Sequence, residues 1–450
     1  MDDTRYSINQ RLKIKSNVLN LISDDNYIAA CEIIVLYPIS FAIEILDELE
    51  TEEKISLFQT LPIEISSLVF HDLSAYSQHE ILKEIKDDLL IELIINMETD
   101  DAVDLMGLVS WEHIQKIIGK IPQNILELYS HDEDSAGGIM ESDYLSFYEN
   151  LKVEMALLRI GKMTKNIDHV YHIFLVDNAK RLTGIMPIQR LFVSDKKKTL
   201  KEISDPPHMK IYVDQDQEEV AQFFRKNDLI SAPVVDSDNH LVGKITIDDI
   251  VDVVDEEATE DSYRMVGMNG DDYTPTMFLQ VKSRLPWLVI SLVAEIISGT
   301  VLRYFGDTLS TIIILSSFIP LIMAMGGNVG VQSATVVIRT IALGELVGTN
   351  RKRIITRELF ASMILGLIFG ISLVVVGYVW GNIRVGFVAG FSIMAAMMIS
   401  TSVGCFFPLI LKGFGKDPAF ATGPFITAFN DVFGLLIYLL IATHILINLA

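Results

Sequence analysis

Beyond residue 285 the chain carries five long apolar stretches, approximately 286–305, 309–338, 359–380, 385–411 and 424–446. Each is long enough to cross about 30 Å of hydrocarbon as a helix. No water-soluble globule accommodates five such stretches, and in lipid the backbone must satisfy its own hydrogen bonds, so this part is expected to be an all-α bundle of five spans. The charge divides at nearly the same place. Residues 1–280 hold 53 acidic and 25 basic side chains, whereas 281–450 hold 6 and 11. So acidic a region repels phosphate backbones, which excludes nucleic acid as a partner and leaves cations as natural counter-partners. Cys31 and Cys405 fall one in each region, so neither a disulfide framework nor a thiolate metal site is expected. The first sixteen residues are polar and charged, so no cleaved secretion signal is read. Lys282, Arg284, Arg351, Lys352, Arg353, Arg357, Lys412 and Lys416 lie on the side of the acidic region, against Arg303 and Arg384 opposite. The positive-inside rule then predicts a multi-pass cell-membrane protein with a cytoplasmic N-terminal region and an extracytoplasmic C-terminus.

Within the acidic region, residues 16–122 show helical periodicity broken by Pro and polar residues. Ile55, Phe58 and Leu61 precede Pro62, and Leu89, Leu90, Leu93, Ile94 and Met97 form a second stripe. Short helices recurring every ten to fifteen residues predict a small superhelix. A duplication follows. Val176-Asp177, Leu182 and Gly184 recur as Val235-Asp236, Leu241 and Gly243, each offset by 59. In both copies a strand ends in Asp, a polar turn leads to a second strand containing Gly, and a helix begins near Gln189-Arg190 or Asp248-Asp249. These tandem α/β modules resemble the cystathionine-β-synthase-type (CBS) domain, more closely in the second copy. The expected organisation is a helical domain over 1–130, CBS-type domains over 131–200 and 201–256, an acidic connecting helix over 257–284, and a pore domain over 285–450.

Asp431 sits several residues inside the last apolar stretch, in Thr427-Ala-Phe-Asn-Asp431. An ionisable group at such depth costs roughly 2.5–3.5 kcal/mol, so it normally faces a polar path or a partner, and Asn328 or Ser333 would serve as a structural partner. Glu295 reads equally well as a group at bound water or a helix end. The second stretch contains Pro320 and then Gly326-Gly-Asn-Val-Gly330. Loosened backbone carbonyls with Asn328 offer oxygen ligands to a hydrated cation, while the same glycines also suit close helix packing. Mg²⁺, which keeps much of its hydration shell, suits a path with few carboxylates, although Mn²⁺ or Co²⁺ uses the same oxygens.

A second set of carboxylates comprises Asp248, Asp249, Asp252, Asp255, Glu256, Glu257, Glu260 and Asp261, with Asp100, Asp101 and Asp104 as a possible facing group. Three- and four-residue spacings align them on a helix face. Two carboxylates about 6 Å apart repel by nearly 3 kcal/mol at an effective dielectric of 20, and a bridging Mg²⁺ reverses that sign. Acidic helix faces are also commonly just solvated. Thr246 and Asp249 have the spacing with which CBS-type domains often hold the ribose of an adenine nucleotide.

The order of these parts resembles the MgtE family of magnesium channels over nearly the whole chain. The resemblance rests on Asp134-Ser-Ala-Gly-Gly-Ile-Met140, Glu256-Glu-Ala-Thr-Glu-Asp261, Gly326-Gly-Asn-Val-Gly-Val-Gln332, and Gly423-Pro-Phe-Ile-Thr427 leading to Asn430-Asp431. It implies a homodimer in the lipid bilayer with a central pore at Asp431, where Gly327, Asn328, Thr427 and Ala428 would join the ion path. Ala428 stands where relatives often have Thr. The resemblance also implies cytoplasmic Mg²⁺ sensing by Glu218, Asp228, Asp249, Asp252, Glu257, Glu260 and Asp261, with Asp100, Asp101, Asp104 and Asp417 as further members, and ATP as a modulator. The expectation is a Mg²⁺ channel closed by cytoplasmic Mg²⁺, with no enzymatic role. A CBS-regulated carrier or exporter of a divalent cation is the alternative, and a membrane-tethered nucleotide sensor a further one.

Overall fold

From Tyr27 to Gln123, α-helix starts recur every twelve residues. After α1 (Ile8–Ser23) come α2 (Tyr27–Ile34), α3 (Ile39–Glu48), α4 (Thr51–Thr60), α5 (Ile63–Asp72), α6 (Ala75–Glu84), α7 (Asp87–Asn96), α8 (Thr99–Leu108), α9 (Trp111–Ile117) and α10 (Gln123–Leu128). The punctuation is local. Helices α3 to α7 each end on an apolar residue in extended conformation, Leu49, Leu61, Leu73, Ile85 and Met97, followed by one residue that starts the next helix. Pro38, Pro62 and Pro122 fill that starting position, where a fixed φ is already suitable for the first turn. Alternate helices pack on one another, α2 on α4, α3 on α5, α4 on α6 and α5 on α7, which winds the chain into a superhelix.

In this computed structural model, which describes residues 8–162, 170–268, 277–346, 349–420 and 422–446, the chain divides into two units, 1–254 and 255–450. The first unit continues with two three-stranded sheets. Strands β1 (Ser146–Tyr148), β2 (His172–Val176) and β3 (Leu182–Pro187) form one; β4 (Ile211–Tyr212), β5 (Ser231–Val235) and β6 (Leu241–Thr246) form the other. In each, the first pair is parallel, the second antiparallel, and the register slips at the same place, between Leu175 and Val176 or Val234 and Val235. The 59-residue offset therefore persists from β2 to β5 and from β3 to β6, while the register-matched residues of β1 and β4 lie 64 apart. It also generates a pseudo-twofold contact: His172 Nδ1 lies 2.7 Å from Oγ of its counterpart Ser231, and Arg181 bridges to its counterpart His240.

The helices of the repeats are α11 (Val153–Ile160), α12 (Gln189–Val193), α13 (Leu200–Ile203), α14 (Gln217–Asn227) and α15 (Ile247–Met265). One apolar core runs from the superhelix into the second repeat, joining Leu90, Ile94 and Ala102 to Val220, Phe224, Ile245, Ile250 and Val253. The first repeat has a core of its own around Phe147, Ile173 and Leu175. The superhelix is thus one body with the second repeat, and α8 is held where it meets the start of α15.

The second unit contains the end of α15, then α16 (Met277–Tyr304), α17 (Gly306–Thr311), α18 (Ile314–Ala342), α19 (Thr349–Val379), α20 (Ile383–Gly413) and α21 (Thr422–Leu446). Five of these, α16 and α18 to α21, are long and apolar enough to span a membrane. The second span starts later than the expected position 309, because Gly306–Thr311 forms a separate short helix. The breaker read between Gly267 and Asp272 falls partly in residues 269–276, outside the described residues.

Glycine brings α18 and α20 into backbone contact: a Cβ on Gly404 would collide with the carbonyl oxygen of Gly330. Gly413, on the same helix, has open space. Gly404→Val should therefore lower the melting temperature of the solubilised protein by several degrees, about 1–3 kcal/mol of overpacking, while Gly413→Val leaves it unchanged. Thermal unfolding followed by intrinsic fluorescence checks both.

Candidate cation sites

The first-turn residues of α8 carry the most confined charge in the N-terminal unit. Thr99 Oγ1 accepts a 2.8 Å bond from the Ser142 backbone amide, which ties the start of α8 to the segment entering the first sheet. One residue along on each strand of that contact, Asp100 faces Glu98, Asp101, Glu141 and Asp249. Asp100 Oδ1 is buried and has no hydrogen-bond partner. Burial, then Asp249, Asp101, Glu141 and Glu98, raise its carboxyl well above the usual carboxylate range.

Asp249 is held by the turn from β6 into α15. Its Oδ2 accepts bonds from the Thr246 backbone amide at 2.7 Å and from Thr246 Oγ1 at 2.9 Å. Burial nevertheless pushes it up to about 7, with Glu141 and Asp248 adding to the push. Glu141 and Lys244 exchange backbone bonds as neighbouring extended residues and pair through their side chains at 2.9 Å, each only 8% exposed. On the far side Asp101 binds His71 at 2.9 Å, and this bond raises His71 to about 9 against its burial, so the imidazole is cationic at neutral pH.

Among the expected regulatory residues, Asp100, Asp101, Asp248 and Asp249 therefore meet, while Asp104 is exposed one helical turn further along α8. Asp252 acts on His71. Glu218 and Asp228 lie at opposite ends of α14: Glu218 accepts a bond from Gln222, and Asp228 terminates the helix in the left-handed conformation, φ +52°. Sequence reasoning missed Glu98, Glu141, Lys244 and His71. Glu98 stands two residues before the Asp100-Asp101 pair, and the other three lie in no acidic run of the kind that drew attention to α15. A separate triad, Asp236, Asp238 and His240, has metal-ligating atoms within 4.8 Å of one another, but Asp236 is already engaged by the backbone amides of Asp238 and His240 and by the His240 ring. It closes the β5–β6 turn.

In the second unit, the end of α15 and the loop before α21 form another acidic group. Arg264 pairs with both Glu260 and Asp417. Asp261 is pushed up to about 6 by burial, then by Asp417 and Glu257. Asp255 and Glu256 are exposed. Close approach positions the group: a Cβ on Gly423 would collide with the Met265 carbonyl oxygen, and Trp287 packs edge-on against Phe420 at 5.0 Å.

Inside the bundle, α21 is pinned to α18 on either side of Pro320. Asn430 Nδ2 donates to the Met323 carbonyl at 2.7 Å, and Tyr438 Oη donates to that of Leu315 at 2.8 Å. Gly326 makes room for Asn430. A Cβ at Gly327 would lie 3.9 Å from Thr427 Cγ2, so the glycine segment and the Thr427 turn are adjacent. Asn328 and Thr427 are exposed, Ala428 and Asp431 half-buried. The polar neighbours of Asp431 are Asn430 and Glu295 of α16. Glu295 thus stands beside the last-span carboxylate.

A profile describing a divalent cation transporter, MgtE, matches residues 319–441; an MgtE intracellular N domain profile matches 38–133 and a CBS domain profile 200–256. The chain is 31% identical over 410 residues to the magnesium transporter MgtE of Thermus thermophilus, covering 89% of this chain and 91% of that protein. It belongs to the MgtE family. The Bacillus subtilis magnesium transporter MgtE is 34% identical over 319 residues, 70% of each chain. A crystal structure of the cytosolic domain of the Mg²⁺ channel MgtE in complex with ATP superimposes with a TM-score of 0.50 at 28% identity, covering 53% of this chain and 99% of that one. The CBS profile of this MgtE chain thus falls on the second repeat, the copy that shares its core with the superhelix.

The carboxylate cluster predicts a pH dependence. The folded value of Asp249, about 7, lies above its ordinary 3.8, so its protonated form favours folding: that contribution is full below 3.8 and is lost as pH rises through about 7. In chelator, the melting temperature of the full-length protein should rise between pH 8 and pH 5.5, and Asp249→Asn should flatten the rise. A flat wild-type profile contradicts the burial.

Proposed function

We propose that this protein is a Mg²⁺ channel for uptake across the cell membrane, with the ion passing the α18–α21 seam at Asp431, and that Mg²⁺ bound by the acidic region closes it. The observation that carries the transport reading is Asp431, a carboxylate inside an apolar span, one residue after the Asn430 that seats against the glycine-rich segment of α18 and beside Glu295 of α16. In this reading the exposed side chains of Asn328 and Thr427 supply oxygens, with the Gly327 and Ala428 carbonyls as further members of the path. These outer-sphere groups suit an ion that keeps its water. The magnesium transporters to which the chain is similar support the choice of cargo.

Exposed Asn328 and Thr427 within the spans argue for a second copy covering them, so the working unit in this reading is a homodimer with paired Asp431 groups on one path. The basic flanks place the acidic region in the cytoplasm.

For regulation, the donor set fits Mg²⁺. Asp100 and Asp249 converge as hard oxygen ligands, and the orphaned Asp100 Oδ1 is a buried acceptor that an ion would satisfy. Asp101, Asp104, Asp248 and Asp252 would add outer-sphere charge. Glu257, Glu260, Asp261 and Asp417 would form the corresponding site in the second unit, with Asp255 and Glu256 as peripheral members, while Glu218 and Asp228 would add charge at the two ends of α14 in the first unit. Ion loss restores carboxylate repulsion, and both ends of α15 feel it. In this reading Asp249 serves the cation rather than a ribose, because Thr246 already occupies its Oδ2 and its charge acts on buried Asp100. ATP modulates the response in this reading only through other groups.

The test is Mg²⁺ flux into liposomes with Mg²⁺ titrated on the face of the acidic region. Asp431→Ala should reduce flux at least about tenfold, the order of one lost charge contact in a pore, without changing Mg²⁺ binding to the acidic region. Equal flux in both proteins overturns the path.

A further inference from the structure

The cluster at the start of α8 contains a fixed cation among its carboxylates. Lys244 lies on β6 with its ammonium 2.9 Å from Glu141, both side chains about nine-tenths buried. A buried ion pair of this kind is weak evidence of stabilisation, because desolvation offsets the attraction between its members. Its position is more informative. Glu141 acts on both Asp100 and Asp249, so all three carboxylates share one space, and Asp100 Oδ1 points into that space without a partner. A group that neutralises Glu141 therefore also determines how much negative charge the pocket presents to an incoming ion.

We propose that Glu141 is a ligand of the divalent cation bound by this cluster and that Lys244 is its resident counter-cation, displaced when the ion binds, so that Lys244 sets the concentration at which the site fills. The inference rests on the reading of the cluster as a cation site. Glu141 Oε1 is released when the ammonium swings away, and the ion returns to Asp100 the acceptor satisfaction that the ion-free site lacks. The displaced ammonium need travel only as far as its four-carbon stem allows, which is the property that distinguishes Lys from Arg here. Geometry also limits the alternatives: Glu141 and Lys244 face each other across a backbone bridge, so neither leaves the neighbourhood when the side-chain contact opens.

The test uses full-length protein in detergent, titrated with Mg²⁺ alone, read by calorimetry and by protection of the acidic region from limited proteolysis. Lys244→Met preserves length and removes the competitor, so the midpoint should fall at least about threefold; Glu141→Gln removes a ligand and leaves an unpaired ammonium, so it should rise at least about threefold. The double variant should return to within about twofold of wild type. Lys244→Arg should keep the site charged and lie near or above wild type. Shifts of opposite sign in the two single variants support the proposal, since a merely structural pair would move both the same way. Shifts of equal sign, or no shift in either, overturn it. Should Lys244→Met fail to fold, the near-isosteric Glu141→Gln alone decides: an unchanged or lowered midpoint overturns the assignment. A wild-type protein with no saturable response, or an Asp100→Asn/Asp249→Asn variant that responds normally, would instead overturn the cation reading of the cluster itself.

Discussion

Crowding of carboxylates around Asp100 is the constraint on which the N-terminal unit turns. A buried acceptor without a donor is costly, and one flanked by further carboxylates is more so. The fold tolerates it because the same helix start is over-determined elsewhere. Thr99 is bonded to Ser142, Ala102 and Leu105 are in the core, and the amide-rich first turn of α8 favours negative charge. The apolar core joining the superhelix to the second repeat then prevents the charged surfaces from separating. Attraction of nonpolar surfaces and repulsion of carboxylates act across one junction in opposite senses, and a divalent cation changes only the second.

The membrane unit solves a related problem by different means. An ionisable group in hydrocarbon has to be oriented, and Asp431 is oriented by its neighbour rather than by direct ligation: Asn430 spends its amide on the Met323 carbonyl, which is possible only because Gly326 has no side chain. Gly330 and Gly404 serve packing between α18 and α20, so the close-packing reading of the glycine segment is realised there. Gly326 and Gly327 face α21, while Gly330 sits between Ser400 of α20 and Ile426 of α21.

Much of this architecture is visible in the sequence because it repeats. The helical period of the superhelix, twelve residues, lies within the expected range, and the offset of 59 reappears in both strand starts and bulges. What was hidden was contact between residues far apart in the chain. Glu141 and Lys244 are unremarkable alone, one after a Gly-Gly-Ile-Met run and one in a strand, and acquire meaning only when the bridge between their backbones places both beside Asp100. Glu295 likewise reads as an isolated charge in α16 until α21 brings Asp431 alongside. Runs of acidic residues mislead in the opposite direction: Asp255 and Glu256 look equivalent to Asp249 on paper, yet they are exposed while Asp249 is not. Spacing on one helix reports a shared face; it does not report what that face meets.

On the proposed reading the cluster senses an abundant ion and has to be empty part of the time, and carboxylates alone work against that. Each added charge in a confined site tightens binding, so a pocket of Asp100, Asp249, Glu141 and their neighbours with no internal cation would remain filled over most conditions. Both acidic groups in this chain contain basic side chains on the carboxylates themselves: Lys244 on Glu141 with His71 on Asp101 in one unit, and Arg264 on Glu260 and Asp417 in the other. Such side chains hold the ion-free arrangement together where bare repulsion would disrupt it, and they also compete with the ion. On that reading the affinity of such a site is a difference between two cations for the same oxygens, one tethered at fixed local concentration and one free.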